Sequence, residues 1–594
     1  MFKLFKYLKA REWTLIALCA VAVVFSVWLD LTLPDYMRQI TAEISKNNNL
    51  LLYPNGADIN EVYRFGWLML ACAVGSLAVT ILVAYISSSI GSGFSKSLRS
   101  AMYEKVDEFS LAEINKFSTP SLITRSTNDI MQVQMAVTMS LQIAIKAPVL
   151  AVWAMIKISD ANIEWTMAVG VGVIIMIALF VTILALSMPR FRKMQVLTDN
   201  INRVARENLT GLSIVRAYNA EHYQSDKFEK ANDDLTKTQL FTSRAMSFVM
   251  PTIATLNSGL ALAIYWVGAY LIDNIGPGPE AVDLFSNMVI FSSYAMQIIF
   301  SVMMATMWFV ILPRSQVAAK RINEVLDTPI SVMSGNKKDG QEGLRGVVEF
   351  KDVSFGYNNA AEPVLSGINF TAKQGETVAF IGGTGSGKTT LVNMVPRLYD
   401  ASSGEVLIDG INIKEYDLPS LYDKMGYISQ KSVMFDGTIR SNIAFGDVGN
   451  KMSEDDIYRG LEIAQGKDFV DKLEKGLESS VARGGTNFSG GQKQRLSIAR
   501  AIAKRPEFLI FDDSFSALDY KTDKALRGAI KKHTSDTTVL VVAQRIGTIM
   551  DADQIIVLDE GKIVGKGKHR DLLETCPVYL DIAKSQLSEE ELAR

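Results

Sequence analysis

Six long apolar runs, near residues 13–33, 66–88, 135–158, 164–188, 248–272 and 287–312, fill the first half of this 594-residue chain. Each reaches the roughly 20 helical residues needed to cross a hydrocarbon core of about 30 Å. Each also mixes Gly, Ser or Ala among its larger side chains, as membrane helices tolerate. Runs this continuous leave almost no amphipathic surface, which argues against buried helices of a water-soluble protein. The sequence therefore predicts six membrane spans. Lys3, Lys6, Lys9 and Arg11 precede the first run. Ala20-Val21-Ala22 mimics a cleavage site, but the run continues through Trp28, so an uncleaved first span is expected. The basic flank reads as an amphipathic elbow on the membrane surface.

The loops set an orientation. Segments 159–163 and 273–284 contain no Lys or Arg, whereas 189–247 carries ten, among them Arg190, Arg192, Lys193, Arg203, Arg206 and Arg216. The positive-inside rule then places both termini, and the polar segments 89–134 and 189–247, on the cytoplasmic side of a plasma membrane. Those two segments read as membrane helices continuing into the cytosol as antiparallel pairs. Lys+Arg total 61 against Asp+Glu 63, so nothing points to a nucleic-acid partner. Three cysteines and three histidines, without ligand-like spacing, argue against a disulfide framework or a structural zinc.

After Pro313 the apolar character stops. Residues 326–346, with Pro329 and SGNKKDGQEG, form a polar linker between a membrane domain at 1–325 and a second domain at 347–594. From Val347 onward short strands (VVEFKDVSF, TVAFIG, VLID, FLIFDD, TVLVVA, QIIVLD) alternate with helical patterns, which indicates an α/β fold with a parallel sheet. The strand TVAFIG runs into Gly382-Gly383-Thr384-Gly385-Ser386-Gly387-Lys388-Thr389, with Thr390 next, and then a helix. This is the P-loop pattern in its strand–loop–helix setting. Its amides converge on phosphate oxygens at a helix N-terminus. Lys388 is expected to reach the β- and γ-phosphates of ATP, and Thr389 to ligate Mg²⁺. Asp512 and Asp513 end a later apolar strand, where Asp512 is placed to hold Mg²⁺ through its hydration shell.

Ser489-Gly490-Gly491-Gln492 precedes a helical run shortly before that strand. In this position it resembles the signature of ATP-binding-cassette (ABC) transporters, and six spans followed by one cassette resemble an ABC exporter half-transporter over essentially the whole chain. The resemblance implies further roles. Tyr357 would stack on adenine, and Gln430, in YISQ, would touch Mg²⁺ and sense the membrane domain. Ser516-Ala517-Leu518-Asp519 would form the D-loop. Segments 118–126 and 207–219 would be coupling helices.

Two positions depart from the family pattern. Asp513 stands where a Glu usually positions the attacking water, and Gln544 stands where a switch histidine is usual. Shortening a catalytic carboxylate by one methylene retracts it by about 1 Å, and misplacement of that order costs about 10²-fold in rate. Glutamine accepts no proton near neutral pH. Arg483 is a softer departure. The combination resembles the degenerate-site subunit of bacterial heterodimeric multidrug exporters. It implies a second, different half-transporter chain as partner, with this chain's signature completing the competent site.

For cargo, Met296, Phe300, Met303 or Met304, and Met307 share one face of the sixth run, and Met recurs at promiscuous binding surfaces. Plain helix packing explains the same stripe equally well. Lys146 and Asn257 lie within spans, where charged and amide groups usually face a cavity, though Lys146 near a span end also has a route to the cytoplasm by snorkelling. Export of an amphiphilic, drug-like molecule is the first expectation. A lipid or lipopeptide translocase of the same architecture, or an ATP-gated channel or sensor, is the alternative.

Overall fold

The computed structural model describes residues 1–46, 57–159, 163–276, 278–357, 362–446, 452–516, 518–588 and 592. Much of the 159–163 connection, and Ala517 of the expected D-loop, fall outside them. The chain divides into two compact units, Met1–Glu104 with Leu122–Asp327, and Lys105–Ser121 with Thr328–Arg594.

The secondary structure of the first unit is helical among the described residues. Among the described residues, five helices are long and apolar enough to cross a membrane: Ala10–Ser45, Ile59–Asp107, Thr119–Ser159, Glu221–Ile275 and Glu280–Leu326. The remaining long helix, Ile163–Thr210, carries the apolar stretch Glu164–Leu179. Only 11% to 33% of the most apolar window of each of the five is buried. Leu77, Ile81, Ile174 and Trp266 are all more than half exposed. An apolar surface this extensive far exceeds what a water-soluble protein shows, and it fits lipid.

The helices outrun a bilayer. Glu221–Ile275 has 55 residues, which is about 80 Å at 1.5 Å per residue. Its polar half lies alongside Ile163–Thr210, where Arg190 sits over the Phe241 ring at 3.4 Å and Lys227 pairs with Glu207 at 2.7 Å. The short helix Leu212–Ala217 turns the chain between them. At the other end, the Trp165 ring packs tilted against Phe291, with centroids 4.8 Å apart, and its Nε1–H donates to the Ile264 carbonyl at 3.2 Å. A Cβ on Gly268 would come within 2.5 Å of Met288 Sδ, so glycine allows this close approach.

Two lysines of the third helix are paired with carboxylates of the first, as the cost of charge in lipid favours. Lys146 Nζ lies 3.0 Å from Asp30 Oδ2 and 3.4 Å from Ser26 Oγ, and Ser76 donates to Asp30. Lys146 therefore faces the first helix instead of snorkelling. Lys157 and Asp35 form a second such pair at 2.8 Å, to which Tyr294 adds a hydroxyl donor at 2.6 Å. The third helix is interrupted by π-helical turns at Arg125–Asp129 and Ser140–Ala144, the second just before Lys146.

The second unit is α/β. Its main sheet runs Lys562–Gly567, Gln554–Asp559, Thr377–Gly382, Thr538–Val542, Phe508–Asp512, Met425–Ile428, all parallel except the Lys562–Gly567 edge. The central strands are buried on both faces, which is why they read as unbroken apolar runs. A second, antiparallel sheet orders Leu365–Ala372, Val348–Phe355, Ser403–Ile408, Ile411–Asn412. The helix Leu111–Phe117 belongs to this unit, although the sequence places 1–325 in the membrane domain. Ser110 caps it and meets Ser331 Oγ at 3.0 Å, and Asn115 donates to the Tyr399 hydroxyl at 3.0 Å.

Candidate functional site

Four neighbouring parallel strands end at one edge, and each hands the chain to a candidate residue. Thr377–Gly382 runs into the P-loop, Thr538–Val542 is followed by Gln544, Phe508–Asp512 by Asp513, and Met425–Ile428 by Gln430. Ligands bind at this end of open α/β sheets. The ends are tied together: Asp513 N–H donates to the Val542 carbonyl at 3.0 Å, Ala543 N–H to Phe380 at 3.1 Å, and Ser514 Oγ to Ile428 at 2.9 Å.

The loop needs its glycines. Gly385 and Gly387 have φ of 84° and 94°, the left-handed region, and a Cβ on Gly382 would fall 2.0 Å from the Leu558 carbonyl oxygen. Gly387 caps the helix Lys388–Met394. Lys388 Nζ donates to the carbonyls of Gly382 at 2.9 Å and Gly383 at 2.7 Å, and to Ser386 Oγ at 3.3 Å. Burial draws the Lys388 pKa below the usual lysine value, against the attraction of Asp513 and Asp512. Tyr357, at the mouth, is 39% exposed and shares a 2.9 Å hydrogen bond with Thr390 Oγ1. Tyr399 meets its ring edge-on at 5.4 Å.

Thr389 Oγ1 donates to Asp512 Oδ1 at 2.8 Å. Burial raises the Asp512 pKa, and the Thr389 hydrogen bond pulls in the opposite direction. Beside it, Asp513 has a φ of 49° and is 7% exposed. Its Oδ2 accepts from Gln544 Nε2 at 2.7 Å and from Gln430 Nε2 at 3.1 Å. Burial raises its pKa too, opposed first by those two amides. A cradle of amides with an ammonium and a hydroxyl–carboxylate pair suits a triphosphate and one hard cation. Mg²⁺ in such sites takes one or two protein oxygens, the phosphates and water.

The expected residues Tyr357, Gly382 to Thr390, Gln430, Asp512, Asp513 and Gln544 thus come together. The others stand apart from this cluster. Ser489 caps the helix Gly490–Ala503, exchanging bonds with Gln492, and both Ser489 and Gly490 are exposed. Asp519 caps the helix Tyr520–His533 through Thr522 N–H. Among the cargo candidates, Met296 and Phe300 are exposed, and Met304 and Asn257 half-buried. Met303 and Met307 line a cavity of about 170 Å³ with Met176 and Met250. Sequence reasoning missed Gln586, whose side chain bonds the Gln544–Ile546 backbone. No pattern marks a lone glutamine so far along the chain.

Residues 14–303 match the model of the ABC transporter transmembrane region, and 365–516 that of the ABC transporter. An uncharacterized ABC transporter ATP-binding protein of Mycobacterium tuberculosis is 40% identical over 534 residues, 89% of this chain and 90% of the relative. The chain belongs to the ABC transporters. It is a membrane protein whose cassette binds ATP and is an ATPase coupled to transport. An ATP-dependent lipid A-core flippase of Vibrio vulnificus is 30% identical over 529 residues, 88% of this chain and 87% of the flippase. The structure of a bacterial Atm1-family ABC exporter with ATP bound shares the fold, with a TM-score of 0.76 and 23% identity over 97% of this chain and 99% of that one.

Proposed function

We propose that this ABC transporter exports amphiphilic molecules across the plasma membrane as one half of a heterodimer, and that its own P-loop site binds Mg·ATP but turns it over slowly. The carrying observation is the clamped Asp513. Its short carboxylate meets two glutamine amides on one oxygen, and neither amide takes a proton. Lys388 and Tyr357 hold the phosphates and adenine in this reading, and Thr389, Gln430 and Asp512 hold Mg²⁺. The intact Ser489-Gly490-Gly491-Gln492, exposed at Ser489 and Gly490, serves the nucleotide of a different partner chain in this reading, and Asp519 is assigned to the same dimer face. The basic segment 189–247 supports cytoplasmic termini.

The methionine-lined cavity beside Met303 and Met307 supports an adaptable apolar cargo site. Lys146, Asn257, Met296, Phe300 and Met304 are the candidate contacts. A lipid cargo is the second reading, favoured by the resemblance to lipid A-core flippases. Steady-state ATPase of the purified chain, alone and with the cassette protein of a neighbouring reading frame, tests the proposal. Robust turnover by the chain alone would falsify the heterodimer. Uptake into inverted vesicles, with a dye and with a labelled lipid, separates the cargoes.

A further inference from the structure

The switch segment does not hold itself in place. Between the strand Thr538–Val542 and the short helix Ile546–Ile549, the Gln544 carbonyl and the Ile546 N–H are bonded by one side chain. Gln586 Nε2 donates to the Gln544 carbonyl at 2.8 Å, and Gln586 Oε1 accepts from Ile546 N–H at 2.9 Å. A primary carboxamide is the neutral group that offers a donor and an acceptor side by side, so it can bracket the backbone on either side of Arg545 as a neighbouring strand would.

Gln586 is aimed by what precedes and follows it. The helix Pro577–Lys584 ends two residues earlier, Ala583 is fully buried, and the Gln586 and Leu587 N–H groups both donate to the Ala583 carbonyl, at 3.0 and 2.9 Å. Leu587 packs against the main cassette core. The side chain of Gln544 then reaches Asp513 at 2.7 Å.

The geometry points to Gln586 as a positioning residue: its carboxamide fixes the switch segment so that Gln544 meets Asp513, which makes the C-terminal segment a control point for ATP turnover. This rests on the role given above to Gln544, though not on whether the site is fast or slow. Movement of the C-terminal segment would release Gln544 without touching the P-loop.

The test uses the full-length transporter in nanodiscs with Gln586→Ala and Gln586→Glu. In Q586A, amide hydrogen exchange over 543–549 is expected to quicken on the order of tenfold, while exchange over the P-loop stays as in the wild type. ATPase kcat should fall severalfold relative to this chain's own wild-type turnover, with KM unchanged. Taking that ratio keeps the test intact whether the wild-type site proves fast or slow.

Q586E supplies the readout that a merely structural role would not move. An ionised Glu turns an acceptor toward the Gln544 carbonyl, whereas a protonated Glu restores the donor. Loop protection and kcat in Q586E should therefore recover as pH falls, relative to wild type and Q586A at the same pH. Asp523, Arg545, Asp551, Lys568, His569 and Asp571 line the same cleft, and the two reference proteins share their titration. Unchanged exchange over 543–549 in Q586A, or a Q586E that tracks Q586A at every pH, overturns the proposal. So does a loss expressed in KM alone.

Discussion

Gln544 Nε2 lies 2.7 Å from Asp513 Oδ2, and that oxygen also accepts from Gln430. The carboxylate that would steer a water is thus engaged by two amides, each able to orient it and neither able to relay a proton. Restoring one half of a usual acid–base pair should achieve little. Asp513→Glu or Gln544→His alone is expected to change the turnover of this chain's own site by less than about tenfold. The double variant should raise it on the order of 10²-fold, as positioned proton transfer does. ATPase assays on the purified chain decide between these outcomes.

The signature offers a clean separation of folding from function. A Cβ placed on Gly490 meets nothing within 4 Å in this chain. Gly490→Val should leave the thermal stability of the chain within about 0.5 kcal/mol of the wild type. ATPase of the proposed heterodimer should drop more than about tenfold, because the added side chain would hold the partner's phosphate away from the amides of this segment. A stable variant with full complex activity contradicts the assignment of this segment to the partner's nucleotide.

Removing the Lys388 ammonium, as in Lys388→Ala, withdraws the proposed phosphate ligand and the three bonds it makes within the P-loop. Photolabelling with an azido-ATP should fade at this chain's site and persist at the partner's P-loop. Equal loss at both sites speaks against independent nucleotide pockets.

Burial raises the folded-state pKa of Asp512. The native state then binds the proton more tightly than the unfolded one, so this residue's contribution to stability is greatest at low pH. It declines as pH rises from the unfolded value of about 3.9 through the raised folded value, then levels off. Asp512→Asn removes that decline. The melting temperature of Asp512→Asn minus that of the wild type, both nucleotide-free, should therefore grow with pH across that window. A flat difference argues against the raised pKa.

In the membrane unit, Lys146→Met leaves Asp30 without its cation. A fully buried broken pair costs about 3–5 kcal/mol. Here both side chains keep about a quarter of their exposure, at 22% and 26%, so a smaller loss of roughly 1–2 kcal/mol is expected after discounting for solvent. Asp30→Asn added to Lys146→Met should recover most of it, as read by thermal unfolding in detergent.

The sequence carried the nucleotide site better than its supports. Gly382 and Asp512 end strands whose central residues are buried on both faces, and such strands read as plain apolar runs. Leu365–Ala372, Met425–Ile428 and Lys562–Gly567 were not legible as strands. The first two are short or mixed, and the last alternates exposed with half-buried residues at a sheet edge. The helix Leu111–Phe117 carries no sequence mark of its place, because its partner Tyr399 lies far along the chain. Asp30 went unnoticed as the partner of Lys146 because ion pairing between spans leaves no local pattern.

Register sets the spacing of the groups at the site. Asp512 lies opposite Val542, Val542 opposite Phe380, and Ile428 opposite Phe511, so the groups beyond these strand ends are spaced like teeth on a comb. Adding or deleting one residue in any of these strands would turn the next tooth to the other face. Exchanging Glu for Asp, or His for Gln, at fixed backbone positions leaves the comb intact. Such a scaffold lets a side chain at a strand end be exchanged while the spacing of its neighbours stays as it is.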